Sequence, residues 1–509
     1  MSTSGRVIKN TIYLYIKSIV SMVVMLFVTR IVLQALGVID YGIYNVVAGS
    51  IAILGFFRNS LAVTMQRFLN HYQGGENFEK QKQVFNIGIV FHWVVALVLV
   101  AFFIILGFFL FNGILNIPDD RVYAAKIVYV CLIVNTFLTV ITAPYDAAIT
   151  AHENMLFYSL IGIFESFLKL AVAFIIVYSS GDKLIVYAIL MMAVPLIETT
   201  AMRIYCKVKY AECVFNPKRE WDGLLAKDMM KFAGWSLVGA STNVVSNHGA
   251  NLALNHFFGA AINAVAGIAN QIQGILAVLL NGLLKSLTPV IFKNEGAGNM
   301  SNMVRISMLG CKYSTLLFAF LAVPVFIYTP LLLRLWLVEV PEWTVLFVRL
   351  QLIRAFIEQL GASMLNALNA SNHIKELNAI SCAYNLLPII ILVGLYSLVF
   401  PPYWHYIVMI TVMSIGQIIT VFILCRKYCG FSIRMYGSVV FVPCMLMVLA
   451  AFVIGSSSML VSNEIVGLVA CIVLSSLTFM LFMWLFMNWE ERAMVQNVAR
   501  NLKSRLRIN

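Results

Sequence analysis

Charged side chains are scarce in this chain: Asp, Glu, Lys and Arg make up 11% of its 509 residues, against about 25% in a soluble domain. That scarcity excludes an ordinary water-facing surface, and the 61% hydrophobic content points to lipid as the solvent. Runs such as 89–111, "IVFHWVVALVLVAFFIILGFFLF", are long enough to cross ~30 Å of hydrocarbon as helices. Backbone polar groups in lipid must bond within their own segment, so each such run reads as a helix.

Other absences narrow the function. There is no G-x-x-x-x-G-K-[ST] loop, no H-E-x-x-H and no soluble stretch able to house an ATPase. The seven histidines, His71, His92, His152, His248, His256, His373 and His405, are scattered, which argues against enzyme chemistry. The nine cysteines lie mostly in hydrophobic runs without a repeated C-x-x-C pair, so they read as buried thiols rather than a disulfide framework or metal site. No cofactor or metal is expected. The first hydrophobic run carries Lys17 and Arg30 and lacks a small-residue cleavage site, unlike a removable signal. A net charge of +13 does not imply nucleic acid here, because excess Lys and Arg flanking membrane helices meet anionic headgroups.

What is present is a series of fourteen expected helices. They fall near 11–36, 42–63, 84–111, 122–149, 156–178, 184–206, 230–256, 261–289, 305–329, 344–369, 378–399, 404–425, 438–457 and 463–487. Basic residues collect at the N-terminus, with Arg6 and Lys9, and at alternate connections: Arg67, Lys80 and Lys82; then Arg203, Lys207, Lys209, Lys218, Arg219 and Lys227; then Lys293 and Arg305; then Lys375; then Arg426, Lys427 and Arg434. The tail adds Arg492, Arg500, Lys503, Arg505 and Arg507. The remaining connections, with Asp40, "NIPDDR" at 116–121, "SSGDK" at 179–183, "VEVPEW" at 338–343, "FPPYWH" at 400–405 and Glu464, are poorer in Lys and Arg. The positive-inside rule therefore places both termini in the cytoplasm.

The segment "LQALGVIDYGIYNVVAGSIAIL" at 33–54 returns in kind as "LNHFFGAAINAVAGIANQIQGIL" at 254–276. A shift of 222 residues aligns Gly37 with Gly259, Leu54 with Leu276, Gly74 with Gly296 and Gly88 with Gly310. Because the shift crosses six expected spans, the two halves enter the membrane in the same direction. The expected fold is all-α: a polytopic membrane protein of 14 transmembrane helices, two six-helix lobes in parallel repeat plus two C-terminal helices. The expected divisions are an N-terminal lobe 1–206, a basic cytoplasmic linker 207–229, a C-terminal lobe 230–425, two further helices within 426–487 and a basic tail 488–509. Two parallel lobes imply a central cavity that opens alternately to either side.

Ionisable groups at membrane depth are expensive and usually face a cavity or snorkel to the interface. Arg30 is the first candidate for a cavity cation, with Arg58, Lys285 and Arg354 as further phosphate-binding candidates. Glu165 and Lys169 stand four apart on one expected helix, as do Arg354 and Glu358, a spacing that permits internal ion pairs. Together with Glu198 they are candidates for ion pairing or coupling. Asn243, Asn247, Asn251 and Asn255, followed by Asn270, Gln271 and Gln273, put many amides on two expected spans. They suit a hydrated, cavity-lining face, or hydrogen bonds between helices.

The Arg-bearing first span, the "LGVIDYGIYNVVAGSIAIL" segment at 36–54, the fourteen-span plan and the repeat resemble the polysaccharide-export branch of the multidrug/oligosaccharidyl-lipid/polysaccharide transporter superfamily. The likeness extends over nearly the whole chain. It implies a V-shaped pair of lobes and a flippase that moves a polyprenyl-pyrophosphate-linked O-antigen or capsule repeat unit across the bacterial inner membrane by alternating access. It further implies that cavity cations handle the pyrophosphate, a role carried first onto Arg30 and then onto Lys285 and Arg354. Implied partners are the lipid-linked oligosaccharide, anionic membrane lipids and a glycan polymerase or glycosyltransferase. The two extra C-terminal spans also occur in peptidoglycan-precursor flippases. The alternative expectation is a proton- or sodium-coupled multidrug exporter, which requires an acid in the N-terminal cavity, where Glu165 and Glu198 are the choices. A third is a non-transporting scaffold for glycan assembly, in which charge changes at Arg30 and Arg354 leave export intact.

Overall fold

The computed structural model describes residues 3–52, 55–111, 117–337, 340–371 and 373–486. The tail 488–509, with Arg492, Arg500, Lys503, Arg505 and Arg507, lies outside the described residues, as do Leu54 of the repeat and parts of the 116–121 and 338–343 loops. In chain order the helices are α1 (Thr3–Ala52), α2 (Gly55–Gly74), α3 (Phe78–Phe109), α4 (Val122–Ala151), α5 (Met155–Tyr178), α6 (Lys183–Lys209) and α7 (Gly223–Gly296). They continue as α8 (Met300–Ile327), α9 (Thr329–Trp336), α10 (Thr344–Ala370), α11 (Ile374–Ser397) and α12 (Trp404–Ile418). The last are α13 (Cys425–Cys429), α14 (Ile433–Tyr436), α15 (Val442–Ser456) and α16 (Glu464–Phe486). Wide π turns at Ile419–Leu424 and Gly437–Phe441 join α12 to α13 and α14 to α15.

The described parts of the fourteen expected segments fall largely on helices. Among the described residues, eleven helices are long and apolar enough to cross a membrane. The exceptions are the expected 42–63, 230–256 and 344–369. Polarity accounts for two of these, through the amides of α7's first half and Arg349, Arg354 and Glu358 on α10, while the expected 42–63 includes residues 53 and 54, which lie outside the described residues. One correction concerns Arg67. Expected in a loop, it lies inside α2, 4% exposed, with its guanidinium 4.5 Å from the Phe68 ring and 5.2 Å from Phe232. The helix continues to Gly74 because the amphipathic stretch after residue 63 still has an apolar face to bury.

α1 and α7 are each interrupted once by non-helical backbone. Gly37 has φ 79° and ψ 171°, and Gly259 has φ 79° and ψ −179°. This conformation is essentially restricted to glycine, so the bend recurs where the sequence repeat places it. The same shift relates the N-caps of α3 and α8: Asn77 accepts from the Lys80 N–H and Asn299 from the Asn302 N–H. It also relates close approaches, Gly88 beside Met65 and Gly310 beside Leu287.

The chain divides into two compact units. One comprises 12–241 with 296–298; the other comprises 1–11, 242–295 and 299–509. In the first, Ala96, Phe103, Val128, Leu184 and Ala188 form part of a core among α3, α4 and α6. In the second, Ile291, Cys311, Met364, Leu368 and Cys444 belong to a core joining α7, α8, α10 and α15. Large apolar side chains on the outside, such as Phe108 and Leu481, give the surface that lipid requires. All nine cysteines are unbridged and eight are buried.

Ion pairs sort the first unit's connections onto two faces. Arg121 joins Asp40 and Asp182, donating at 2.7 Å from Nε to Asp40 and at 2.7 Å from Nη1 to Asp182. Three of the Lys/Arg-poor connections therefore share a face. Asp182 also accepts from the Leu184 and Ile185 N–H groups at the start of α6. Burial pushes its carboxyl up, but Arg121 and these amides outweigh it and hold the group below its usual range.

On the other face, Lys80 meets Asp222 at 2.5 Å, and Asn86 bonds Val214 and Asn216. Residues 207–209 close α6 and 223–229 open α7, leaving 210–222 as the connection between them. There His152 stacks on Tyr210 with centroids 4.0 Å apart, and its Nε2 pairs with Glu212. Burial raises the Glu212 carboxyl, but the His152 contact outweighs it and leaves the group below its ordinary value. A folded value below the unfolded one stabilises above the ordinary glutamate range, and that stabilisation is lost as pH falls through the folded value. Glu212→Gln is expected to cost about 1.5 kcal/mol at pH 7 and much less near pH 3. Thermal unfolding in detergent at the two pH values measures the difference; an equal cost at both would contradict it.

Candidate functional site

Inside the first unit is a cavity of about 320 Å³, lined from α1, α2, α4, α5 and α6. Its charged lining comprises Lys17, Arg58 and Lys169 against Asp146, Glu165 and Glu198. Asn135, Thr139, Thr142 and Tyr158 add uncharged polar groups. Bringing six ionisable side chains to one intramembrane space is costly unless they face each other or water.

Helix geometry explains how they converge. Glu165 and Lys169 are one turn apart on α5, and Lys169 Nζ donates to Glu165 Oε1 at 2.5 Å. Lys17 on α1 reaches over the Tyr158 ring, 4.2 Å from its centroid. Gly162 makes that path possible: a Cβ there would lie 2.1 Å from Lys17 Cε. Ser21 and Ser166, 2.7 Å apart, tie α1 to α5 beside this crossing. On α6, Pro195 cannot supply the N–H that would satisfy the Met191 carbonyl, and both residues line the cavity. Thr199 donates back to the Pro195 carbonyl at 2.7 Å. Its hydroxyl also meets that of Thr142 on α4.

The carboxylates differ in their surroundings. Glu165 is committed to Lys169. Glu198 forms no ion pair among the described residues; Glu165, Asp146, Arg58 and Lys169 act on it through space. The arrangement can hold one small cation against Glu198 and Asp146, or one anionic group against Lys17 and Arg58. Its six charged side chains are balanced in sign, so a change at any one leaves net charge in a confined space.

The expected site residues thus divide. Arg58, Glu165, Lys169 and Glu198 come together in this cavity. Arg30 is exposed on α1 and is not among the cavity-lining residues. In the second unit, Arg354 is 11% exposed and bonds Glu358 at 3.3 Å, with further contacts to Met413 Sδ and Asn247 Oδ1. Asn247 also bonds Asn243, and Asn270 accepts from Gln351 at 3.1 Å. Lys285, Asn251 and Gln273 are half-buried there, while Asn243, Asn255, Asn270 and Gln271 are exposed. Lys17 and Asp146 are cavity residues that sequence reasoning passed over. The signal for Asp146 was an acid within an expected span, in "APYDAAIT" at 143–150.

The chain's architecture has counterparts among solved structures. It is similar to MATE in the bent conformation, with a TM-score of 0.73 at 14% identity, covering 84% of this chain and 96% of that one. The fold is that of MATE. An outward-facing multidrug resistance MATE family transporter of the MOP superfamily matches with a TM-score of 0.71 at 13% identity, over 83% of this chain and 96% of that one. A MOP superfamily transporter from Pyrococcus furiosus, described as having a binding pocket of reverse polarity and a different function, matches at 0.70 and 12% identity, over 83% and 96%. No protein-family model and no curated protein matches the chain. These likenesses are of fold, and nothing in them is specific to polysaccharide export.

Proposed function

We propose that the chain is an alternating-access transporter that exports small organic cations in exchange for protons or sodium ions. The observation that carries this reading is the cavity with Glu198 and Asp146 beside the Glu165–Lys169 pair. Its volume of about 320 Å³ lies at the small end of ligand pockets, which run from ~300 to 1,000 Å³. That size suits a coupling ion or compact solute rather than an oligosaccharide with its pyrophosphate. Competition between an inward-moving ion and an outward-moving cation for the same carboxylates gives the required reciprocal coupling. The MATE fold and the multidrug transporter among the similar structures support the same class.

Flipping of a lipid-linked oligosaccharide is the second reading, and Lys17 and Arg58 favour it. Both line the cavity, and cations of this kind suit phosphate. The two readings separate in proteoliposomes. Export of a fluorescent organic cation driven by a proton or sodium gradient is expected, with Lys17→Gln and Arg58→Gln retaining it within ~3-fold. Gradient-independent movement of a polyprenyl-pyrophosphate oligosaccharide, lost in those two variants, would replace the first reading with the second.

A further inference from the structure

A second concavity lies on the Lys80–Asp222 face of the first unit, where the connection 210–222 turns into α7. It has a volume of about 590 Å³ and is lined by Trp221, Gly223, Ala226, Lys227, Met230 and Lys231. Lys227 and Lys231 stand one helical turn apart on α7, and both are exposed. Trp221 is 47% exposed and makes an edge contact with Phe91 of α3 at 6.5 Å. Met230 is 59% exposed. The lining therefore combines two adjacent ammonium groups with an apolar wall.

Two of the three nearby acids are engaged by other partners. Asp222 bonds Lys80 and accepts from the Leu224 and Leu225 N–H groups. Lys80, first, and these amides hold its carboxyl below the usual range. Asp228 is exposed on α7, about 100° round the helix from Lys227 and about 60° from Lys231. Glu220 faces Arg219 at 4.0 Å.

Depth fixes the kind of ligand. On α3 the charged residues end at Lys82, and Asn86 is tied to Val214 and Asn216, after which the helix is apolar apart from the buried His92. Phe91, and Trp221 against it, therefore sit just inside the start of the apolar stretch. Tryptophan concentrates at that boundary because its ring is amphipathic. Lysine ammonium groups next to it meet headgroup phosphate, while Trp221 and Met230 offer a surface to acyl chain. We propose that this cleft is a binding site for a single anionic phospholipid, its phosphate between Lys227 and Lys231. A soluble phosphate compound would use the lysines and leave the apolar wall uncovered. The site lies at the start of α7. The lipid assignment holds whatever solute the cavity carries.

The test uses the full-length protein in nanodiscs, with retained phosphatidylglycerol counted by native mass spectrometry against a phosphatidylcholine background. Removing both lysine charges, Lys227→Gln with Lys231→Gln, is expected to lower apparent phosphatidylglycerol affinity about 30-fold, on the basis of roughly 5-fold per basic group near a membrane surface. Lys227→Arg with Lys231→Arg is expected to retain binding. The pair Lys207→Gln with Lys209→Gln removes equal charge outside the cleft and is expected to change affinity less than ~3-fold. Equal losses from both Gln pairs would overturn the site in favour of diffuse charge. Displacement of the lipid by millimolar inorganic phosphate would overturn the lipid assignment. Folding of each variant is checked by its elution as a monodisperse peak with unchanged melting temperature.

Discussion

Gly296→Ala is expected to destabilise the protein by about 3 kcal/mol, the upper end of ordinary overpacking costs. A Cβ at this position would lie 1.8 Å from the His71 carbonyl oxygen, 2.6 Å from its carbon and 2.8 Å from its Cα. All three atoms are backbone, so no side-chain rotation relieves the contact. The His71 carbonyl also accepts the Gly75 N–H at 3.1 Å, closing the end of α2. Displacing it breaks that bond, and the space is already tight, since a Cβ on Gly75 would lie 3.1 Å from the Gly296 oxygen. The comparison is Gly267→Ala, a helical position with nothing within 4 Å of the added carbon. Denaturation in mixed micelles should place Gly296→Ala far below the parent and Gly267→Ala close to it. Equal stability of the two variants would show that the ends of α2 and α7 do not approach each other in this way.

Glu198→Gln is expected to reduce ion-coupled transport by about 10- to 100-fold, the range of a typical coupling free energy. The amide preserves shape and hydrogen-bonding capacity while removing the charge that a coupling ion needs. It also leaves Lys17, Arg58 and Lys169 facing only Asp146 and Glu165 in the same cavity, which repels a cationic substrate. Glu165→Gln acts through a different route, since it strips Lys169 of its 2.5 Å partner. Glu464→Gln removes a carboxylate of equal charge from the exposed pair with Arg334 and should leave transport within ~2-fold. The measurement is gradient-driven efflux from proteoliposomes at matched protein density. Unchanged coupling in Glu198→Gln would remove this residue from the ion pathway.

Much of the architecture was legible because hydrophobic runs in lipid have one backbone solution. The recurring bend was legible as well, because the backbone at Gly37 and Gly259 admits little but glycine. Helix ends were harder. α2 and α7 extend well past the expected 63 and begin before the expected 230, since amphipathic segments lack the contrast that hydropathy detects.

The site was less legible, and α1 shows why. Lys17 and Arg30 both interrupt one apolar run, and hydropathy favoured the deeper Arg30. Thirteen residues correspond to about 3.6 turns, which puts the two side chains about 220° apart round the helix. One lines the cavity and the other is exposed. Composition carries no information on which face turns inward; that follows from the packing of α1 against α5, set by Gly162 and the Ser21–Ser166 contact. The Glu165–Lys169 and Arg354–Glu358 pairs were visible because their one-turn spacing is local. Their assignment to separate units depends on tertiary contacts that spacing does not encode.

The central claim is that an organic cation and a coupling ion compete for carboxylates in one cavity. Its most direct test is ion release on substrate binding, without transport. The purified protein in weakly buffered detergent is mixed with an organic cation, and proton release is followed with a pH indicator while sodium release is followed with a radiotracer. The account predicts stoichiometric release of one of the two ions by the parent protein and none by Glu198→Gln. Saturable binding of the organic cation with neither ion released would contradict it.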